Sequence, residues 1–249
     1  MGWLIATLLV SVRIAAATAF APVLGPTQIP APARVLFTLA LSAFMVSALP
    51  VPPLAAASLS FLVVAMFGEA FLGLAFAFGF IAAYGATQVA GRALDVQIGF
   101  GAAGVLNPAT QIMSPLLGTV IGMLAIAVFL SMDGHLILVK ALALSLQSAP
   151  PGAALAQFDW GAFLRQSAVT FTFALAIAGP VMFMFLLSDL AMAVFARSMP
   201  QLNVFVLGFA IKIFLGLIGL AMSIRFAGGL LAELFGTSFD YWHGLAVGR

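Results

Sequence analysis

Charged residues are scarce in this chain of 249 residues, and cysteine is absent. Asp, Glu, Lys and Arg together make up 6% of the sequence, whereas soluble domains carry roughly 25%. A soluble domain of this length would lack the surface charge that keeps it hydrated. The missing cysteines exclude disulfides and thiolate metal ligands. The nine Lys and Arg residues are scattered singly, which excludes a basic surface for nucleic acid.

Apolar residues dominate what remains, at 64% of the chain. The 24 phenylalanines, against 3 Trp and 2 Tyr, indicate large interior contact surfaces rather than aromatic belts. Apolar segments long enough to span a bilayer are separated by proline and glycine breaks. The composition therefore predicts an all-α integral membrane protein, with long kinked helices arranged as hairpins.

The proline and glycine breaks divide the chain into apolar segments that should be helical. We expect helices at residues 3–21, 35–49, 54–90, 116–130, 135–146, 161–192 and 202–235. The first should be retained, because no basic stretch precedes it as in a cleavable signal peptide. Asp133 and Gly134 form a tight turn signal that predicts a hairpin, and Pro180 predicts a kink. The more polar tail, residues 237–249, should be frayed or lie at an interface.

Residues 96–132 carry no charge, yet glycine and proline in series prevent one continuous helix there. Such residues free backbone amides and carbonyls from the helical ladder, and lipid cannot satisfy them. Irregular backbone at membrane depth is tolerated only where protein buries it or where it borders a water-filled cavity. We therefore predict a non-helical segment near residues 99–115, inside an assembly and beside a conduit.

Glu69 lies in the middle of an apolar segment. An acid at membrane depth is a functional candidate, for example a proton carrier. The favoured interpretation is a carboxylate paired with an arginine of a neighbouring helix or subunit. Arg92 and Asp95 are spaced i, i+3 and are expected to pair locally.

Residues for catalysis or cofactor binding do not form a recognisable pattern. No Ser/His/Asp order, carboxylate pair or spaced histidine pair is present, so we expect neither an enzyme nor a metal or cofactor site. Residues 99–104 resemble a dinucleotide-binding GxGxxG string only superficially, because no strand precedes them. A histidine at the 133–135 turn, His135, fits contact with lipid headgroups better than metal binding.

Four passages share the order and spacing of one known family. They are residues 20–24 (FAPVL) with Ile29, Pro30 and Arg34; residues 91–100 (GRALDVQIGF) with Asn107, Pro108 and Pro115; residues 133–135 (DGH); and residues 199–209 (MPQLNVFVLGF) with Lys212 just beyond. Together they resemble the FliR family, the R-type export-gate subunits of flagellar and related type III secretion systems. The last passage is the most specific.

The resemblance implies a non-enzymatic core subunit of the flagellar export gate in the bacterial inner membrane, at the flagellar basal body. With P-type and Q-type subunits it would form the channel for unfolded flagellar proteins, and a switch protein would wrap around the assembly. Residues 1–160 would be a P-like helical portion with a plug loop. Residues 161–249 would be a Q-like helical hairpin and tail, in one continuous membrane unit without a separate soluble domain.

The resemblance also implies which residues act at the gate. The family's plug aligns with Gly99, Phe100, Gly101, Ala102, Gly104, Val105, Leu106, Asn107 and Pro108. Ala102 and Val105 stand where relatives often carry bulky aromatic residues. Contacts with other subunits are expected at Glu69, Pro200, Gln201, Asn203, Phe205 and Lys212.

Three alternatives differ in what they demand of the sequence. A virulence-type secretion gate would share most of these passages, although residues 20–22 and Gly208-Phe209 look more flagellar. A small-solute secondary transporter also uses broken helices, but no second broken segment mirrors the first. An intramembrane enzyme would need a nucleophile, an acid pair or a metal cluster.

Overall fold

The computed structural model describes residues 2–19, 30–49, 58–99, 116–153, 159–198 and 204–247. Within these ranges the regular structure is α-helical and contains no strand, which confirms the all-α fold. The helices are α1 (Gly2–Thr18), α2 (Ala31–Ala48), α3 (Leu59–Ile98), α4 (Leu116–Ser131), α5 (Gly134–Ser148), α6 (Trp160–Ser198) and α7 (Val204–Val247).

Three of the described helices are long and apolar enough to cross a membrane: α2, α3 and α6. The pair α4 and α5 passes the same test if it is counted as one broken span. These helices agree with an integral membrane protein. They also agree with the sequence, in which apolar runs and not an amphipathic pattern predict the helices.

The helix ends follow from local residues. Pro30 precedes α2, and a proline occupies its first turn, where the missing N–H is harmless. Helix α3 ends at Ile98, and Gly99 follows in a left-handed conformation with φ +91°. The Gly99 amide donates to the Asp95 carbonyl over 3.2 Å, as expected for a glycine just past a helix end. The third helix therefore stops where the predicted irregular segment begins, and residues 100–115 lie outside the described residues.

The expected hairpin between α4 and α5 is wrong in its geometry. The two helix axes meet at a bend of 61°, whereas a hairpin would reverse the chain. Asp133 lies in the left-handed region with φ 55° and ψ 30°, which agrees with the turn signal in the sequence. Only Met132 and Asp133 separate the helices, and this short break turns the chain without reversing it.

The expectation that the polar tail frays is also wrong, whereas its location at an interface stays a prediction. Helix α7 continues through Val247, and Trp242 is completely buried in it. The indole Nε1 of Trp242 donates to the Phe76 carbonyl of α3 over 2.7 Å. Because the polar tip of a buried indole needs an acceptor, this bond explains how the tail is held against α3.

The described chain separates into two compact units. The first comprises Met1–Ala83, Phe129–Ala168 and Phe235–Arg249. Its core contains rings from distant parts of the chain, with Phe80 and Phe129 centroids 4.9 Å apart and Phe129 and Phe235 centroids 5.3 Å apart. Burial of these large apolar side chains stabilises the unit.

The second unit comprises Tyr84–Val128 and Val169–Leu234. Small residues allow its helices to approach closely: a Cβ on Gly216 would meet Ile98, and one on Gly219 would meet Val181. Such close backbone approach is how helices associate without a hydrophobic driving force. The family resemblance implies a P-like portion and a Q-like hairpin that meet at residue 160. The two packed units do not test that boundary, which stays a prediction.

Candidate functional site

Gly99 is the member of the predicted plug that falls within the described residues. A Cβ built on Gly99 would lie 3.3 Å from Phe209 Cε2 of α7, in the same unit. Glycine therefore fits both the positive φ and the confined space. The remaining plug residues lie outside the described residues: Phe100, Gly101, Ala102, Gly104, Val105, Leu106, Asn107 and Pro108.

The last turns of α3 contact the first turn of α4. Asp95 Oδ1 accepts the Leu117 amide over 3.2 Å, and Gln88 Nε2 donates to the Gly118 carbonyl over 3.1 Å. Between them Gly91 lies so close to Gly118 that an added Cβ would clash with backbone. The expected ion pair between Arg92 and Asp95 is wrong, since none of the described ion pairs includes either residue.

Glu69 is completely buried and paired within the chain. Its Oε2 accepts from Arg13 Nε over 2.6 Å, and its Oε1 accepts the Gly152 amide over 2.9 Å. Arg13 is buried as well, and it donates further to Ser145 Oγ and to the Ala149 carbonyl, each over 2.9 Å. The structure thus assigns Glu69 to the favoured pairing with a neighbouring helix, and its carboxylate is not exposed to a second subunit.

Lys212 on α7 pairs with Asp189 on α6, with Nζ and Oδ1 2.7 Å apart. The pair is partly accessible, at 26% exposure for the lysine side chain and 45% for the aspartate. Phe205 belongs to the first turn of α7. The other predicted contact residues of this region lie outside the described residues: Pro200, Gln201 and Asn203.

Sequence reasoning missed the partners of these buried or half-buried charges. Arg13 and Asp189 are isolated charges within apolar helices. A charge in such surroundings needs an opposite charge or several hydrogen bonds. That rule could have marked both residues, although it could not have paired Arg13 with Glu69 across 56 positions.

A cavity of about 160 Å³ lies between α6 and α7 in the second unit. Its lining is apolar: Ala176, Ile177, Pro180, Val181, Met184, Gly219, Met222, Phe226, Ala227 and Leu230. Small-molecule sites carry a few convergent polar groups that fix the ligand, and this lining has no polar side chain. In the part of the chain that the structure describes, no group of three His, Asp or Glu residues could hold a metal ion.

Residues 4–238 match the family model for bacterial export proteins, family 1. A flagellar biosynthetic protein FliR from Bacillus subtilis (strain 168) is 34% identical over 227 residues, which is 89% of this chain and 87% of the relative. The chain belongs to the FliR family of bacterial export proteins. The match extends through nearly all of the described helices, so family membership applies to the whole fold.

Two further relatives are also flagellar biosynthetic proteins FliR. The protein of Escherichia coli (strain K12) is 26% identical over 231 residues, covering 92% of this chain and 87% of the relative. The protein of Pectobacterium carotovorum subsp. carotovorum is 29% identical over 159 residues, covering 64% of this chain and 61% of the relative. The resemblance drawn from the sequence motifs is therefore confirmed.

Proposed function

We propose that this chain is a core subunit of the flagellar export gate. Together with P-type and Q-type subunits, it forms the channel through which unfolded flagellar proteins cross the inner membrane at the flagellar basal body. Membership of a family of bacterial export proteins supports a subunit of the flagellar export apparatus. The long apolar helices support its place in a membrane. The switch protein of the apparatus is the further proposed partner, and transport requires no catalytic group on this chain.

The channel proposal depends on the interruption between α3 and α4. Helix α3 ends at Ile98 with a left-handed glycine after it, and α4 begins at Leu116. Backbone that leaves a helix in apolar surroundings must be buried by protein or border water. We assign residues 99–108 as the plug, because glycines lower the torsional cost of moving it and an apolar constriction can close by excluding water.

Subunit contacts are proposed at Pro200, Gln201, Asn203, Phe205 and Lys212. The ion pair between Lys212 and Asp189 supports them, because it is partly exposed, and exposed apolar residues such as Leu186 and Leu190 flank Asp189 in the sequence of α6. A half-exposed charge pair on an apolar surface is better covered by protein than by acyl chains. Residues 1–160 would then act as the P-like portion and residues 161–249 as the Q-like hairpin.

The plug is tested by replacing residues 99–107 with a shorter flexible loop. We expect small ions and solutes to leak through the membrane while flagellar proteins are still exported, because the seal is lost but the conduit remains. Membrane conductance and the amount of exported protein are measured together. Asp240→Asn, at an exposed carboxylate of α7 outside this segment, is the control. A membrane as tight as that of the control would reject the plug assignment.

Purification in mild detergent tests the assembly. An export-gate subunit should come out with several different small membrane proteins, since it is one member of a mixed assembly. A chain that is recovered alone or as a homo-oligomer would instead support the small-solute transporter. That result would contradict the proposed channel even if the plug variant leaked.

A further inference from the structure

Three residues on one face of α3 contact the beginning of α4. They are Gln88, Gly91 and Asp95, spaced i, i+3 and i+7, and they meet Leu117 and Gly118. We call these five residues the α3–α4 clasp. All of them lie in the second compact unit, so the contact belongs to one packed body.

The clasp supplies what α4 lacks at its own start. The first four amides of a helix have no intrahelical partner, and the residue before α4 is Pro115, whose side chain has no oxygen to cap them. Asp95 Oδ1 accepts the Leu117 amide from the neighbouring helix instead. Its negative charge also faces the positive end of the α4 dipole. Asp95 is only 5% exposed, so water and salt screen this interaction weakly.

The described hydrogen bond of the Asp95 side chain is the one that it accepts from the Leu117 amide. None of the three described ion pairs includes it, and its Oδ2 is buried without a hydrogen-bond partner in the described chain. An unpaired buried carboxylate oxygen is costly. A hydrophobic residue would avoid this cost, so the hydrogen bond that Oδ1 accepts from the Leu117 amide is the described interaction that accounts for an aspartate here.

The clasp also joins the two ends of an intervening segment. The chain leaves α3 at Gly99, one turn after Asp95, and α4 starts at Leu116, one residue before Leu117. Tying these points together removes the freedom that closing the segment would otherwise cost. We propose that Asp95 is a positioning residue that holds both ends of the segment carrying the plug. This inference rests on the proposed channel function.

The test compares Asp95→Leu and Asp95→Asn in the assembled export complex. Leucine removes both the acceptor and the charge, so the ionic leak should rise about tenfold or more, as expected for the loss of a charge-assisted hydrogen bond. Asparagine keeps an oxygen acceptor for the Leu117 amide, and its leak should be smaller. Hydrogen exchange at the Leu117 amide should follow the same order. Asp240→Asn, at an exposed carboxylate of α7, is the matched control.

The amount of assembled complex on a native gel separates positioning from general stability. Equal assembly with a graded leak supports the proposal, because a merely structural role would reduce assembly and leave the leak unchanged. If leucine prevents assembly, the near-isosteric asparagine variant decides. An intermediate leak with faster exchange in that variant supports the clasp, and wild-type values of both overturn it.

The plug replacement distinguishes this inference from the function on which it rests. If that replacement leaks while Asp95→Leu stays tight, the positioning role is rejected and the channel stands. If neither leaks, both are rejected. An unchanged Leu117 exchange rate in Asp95→Leu would reject the clasp itself, whatever the leak.

Discussion

Arg13 and Glu69 are the two residues whose individual contribution is clearest. The arginine uses Nε, Nη1 and Nη2 on three different acceptors, and the glutamate uses both oxygens. The two side chains connect α1 and α3 to α5 and to the turn at residues 149–152. Both Glu69 oxygens accept hydrogen bonds, one of them from the Arg13 guanidinium, and both side chains are fully buried. This geometry favours a structural ion pair over a proton carrier.

Removing one member of this pair should destabilise the chain strongly. Glu69→Ala leaves a buried guanidinium without a counter-charge, which costs about 3–5 kcal/mol. The double variant Arg13→Met/Glu69→Leu should be more stable than either single variant, although it leaves the Ala149 carbonyl and Gly152 amide unpaired. Thermal unfolding in detergent measures the order of the three variants. A double variant less stable than both single ones would contradict this account of the pair.

At the scale of the helices, length is the informative quantity. Helix α3 has 40 residues, α6 has 39 and α7 has 44. With a rise of 1.5 Å per residue, each is about 60 Å long, roughly twice the thickness of the hydrocarbon core. A bilayer alone cannot cover such helices along their full length. Their extra length therefore favours cover by other protein, in agreement with the proposed assembly.

Close helix crossings predict opposite effects for two glycines of α3. A Cβ on Gly73 would clash with the Arg13 carbonyl and Ala16 of α1, whereas a Cβ on Gly85 would have no atom of the described residues within 4 Å beyond its own helix backbone. Gly73→Ala should therefore destabilise by about 1–3 kcal/mol through overpacking. Gly85→Ala should be neutral or stabilising by up to about 1 kcal/mol, since alanine favours a helix interior. Unfolding temperatures of the two variants give the comparison, and equal shifts would contradict the α1–α3 crossing.

Helix ends could be predicted from the sequence where a proline or glycine lies next to them. Proline and glycine indicated the break after Ile98 and the start of α4, because these residues act on the backbone next to them. The end of α7 was missed because Asp240 and His243, which are exposed, lie between buried residues such as Trp242. A segment that alternates in this way looks polar by composition although one face is packed. Asp133 and Gly134 indicated a turn between α4 and α5, but these local residues did not indicate the size of the bend, 61°.

At the scale of the whole molecule, neither compact unit is a continuous stretch of chain. The first combines Met1–Ala83 with Phe129–Ala168 and Phe235–Arg249. The contacts that build it, such as Trp242 to the Phe76 carbonyl, join positions 166 residues apart. Sequence periodicity cannot encode such pairings, so family resemblance was needed to predict the function. For the same reason the P-like and Q-like portions are best tested through assembly with partners.

The role of Lys212 in assembly can be separated from its role within the chain. Lys212→Leu breaks the pair with Asp189 and also removes the proposed subunit contact, whereas Asp189→Leu breaks the pair and leaves the lysine. Because the pair is partly exposed, its own contribution should not exceed about 1 kcal/mol. A larger loss of assembly in Lys212→Leu must come from a second partner of the lysine or from the unpaired charge of Asp189.

We therefore expect Lys212→Leu to reduce assembled complex on a native gel about tenfold, which corresponds to about 1.4 kcal/mol. The double variant Asp189→Leu/Lys212→Leu removes the intrachain pair without leaving an unpaired charge, and it should remain equally deficient if a neighbouring subunit uses the lysine. Arg225→Leu, at an exposed cation of α7, controls for loss of positive charge. If the double variant assembles fully, Lys212 contacts no neighbouring subunit. The assembly defect of Lys212→Leu would then come from the unpaired charge of Asp189.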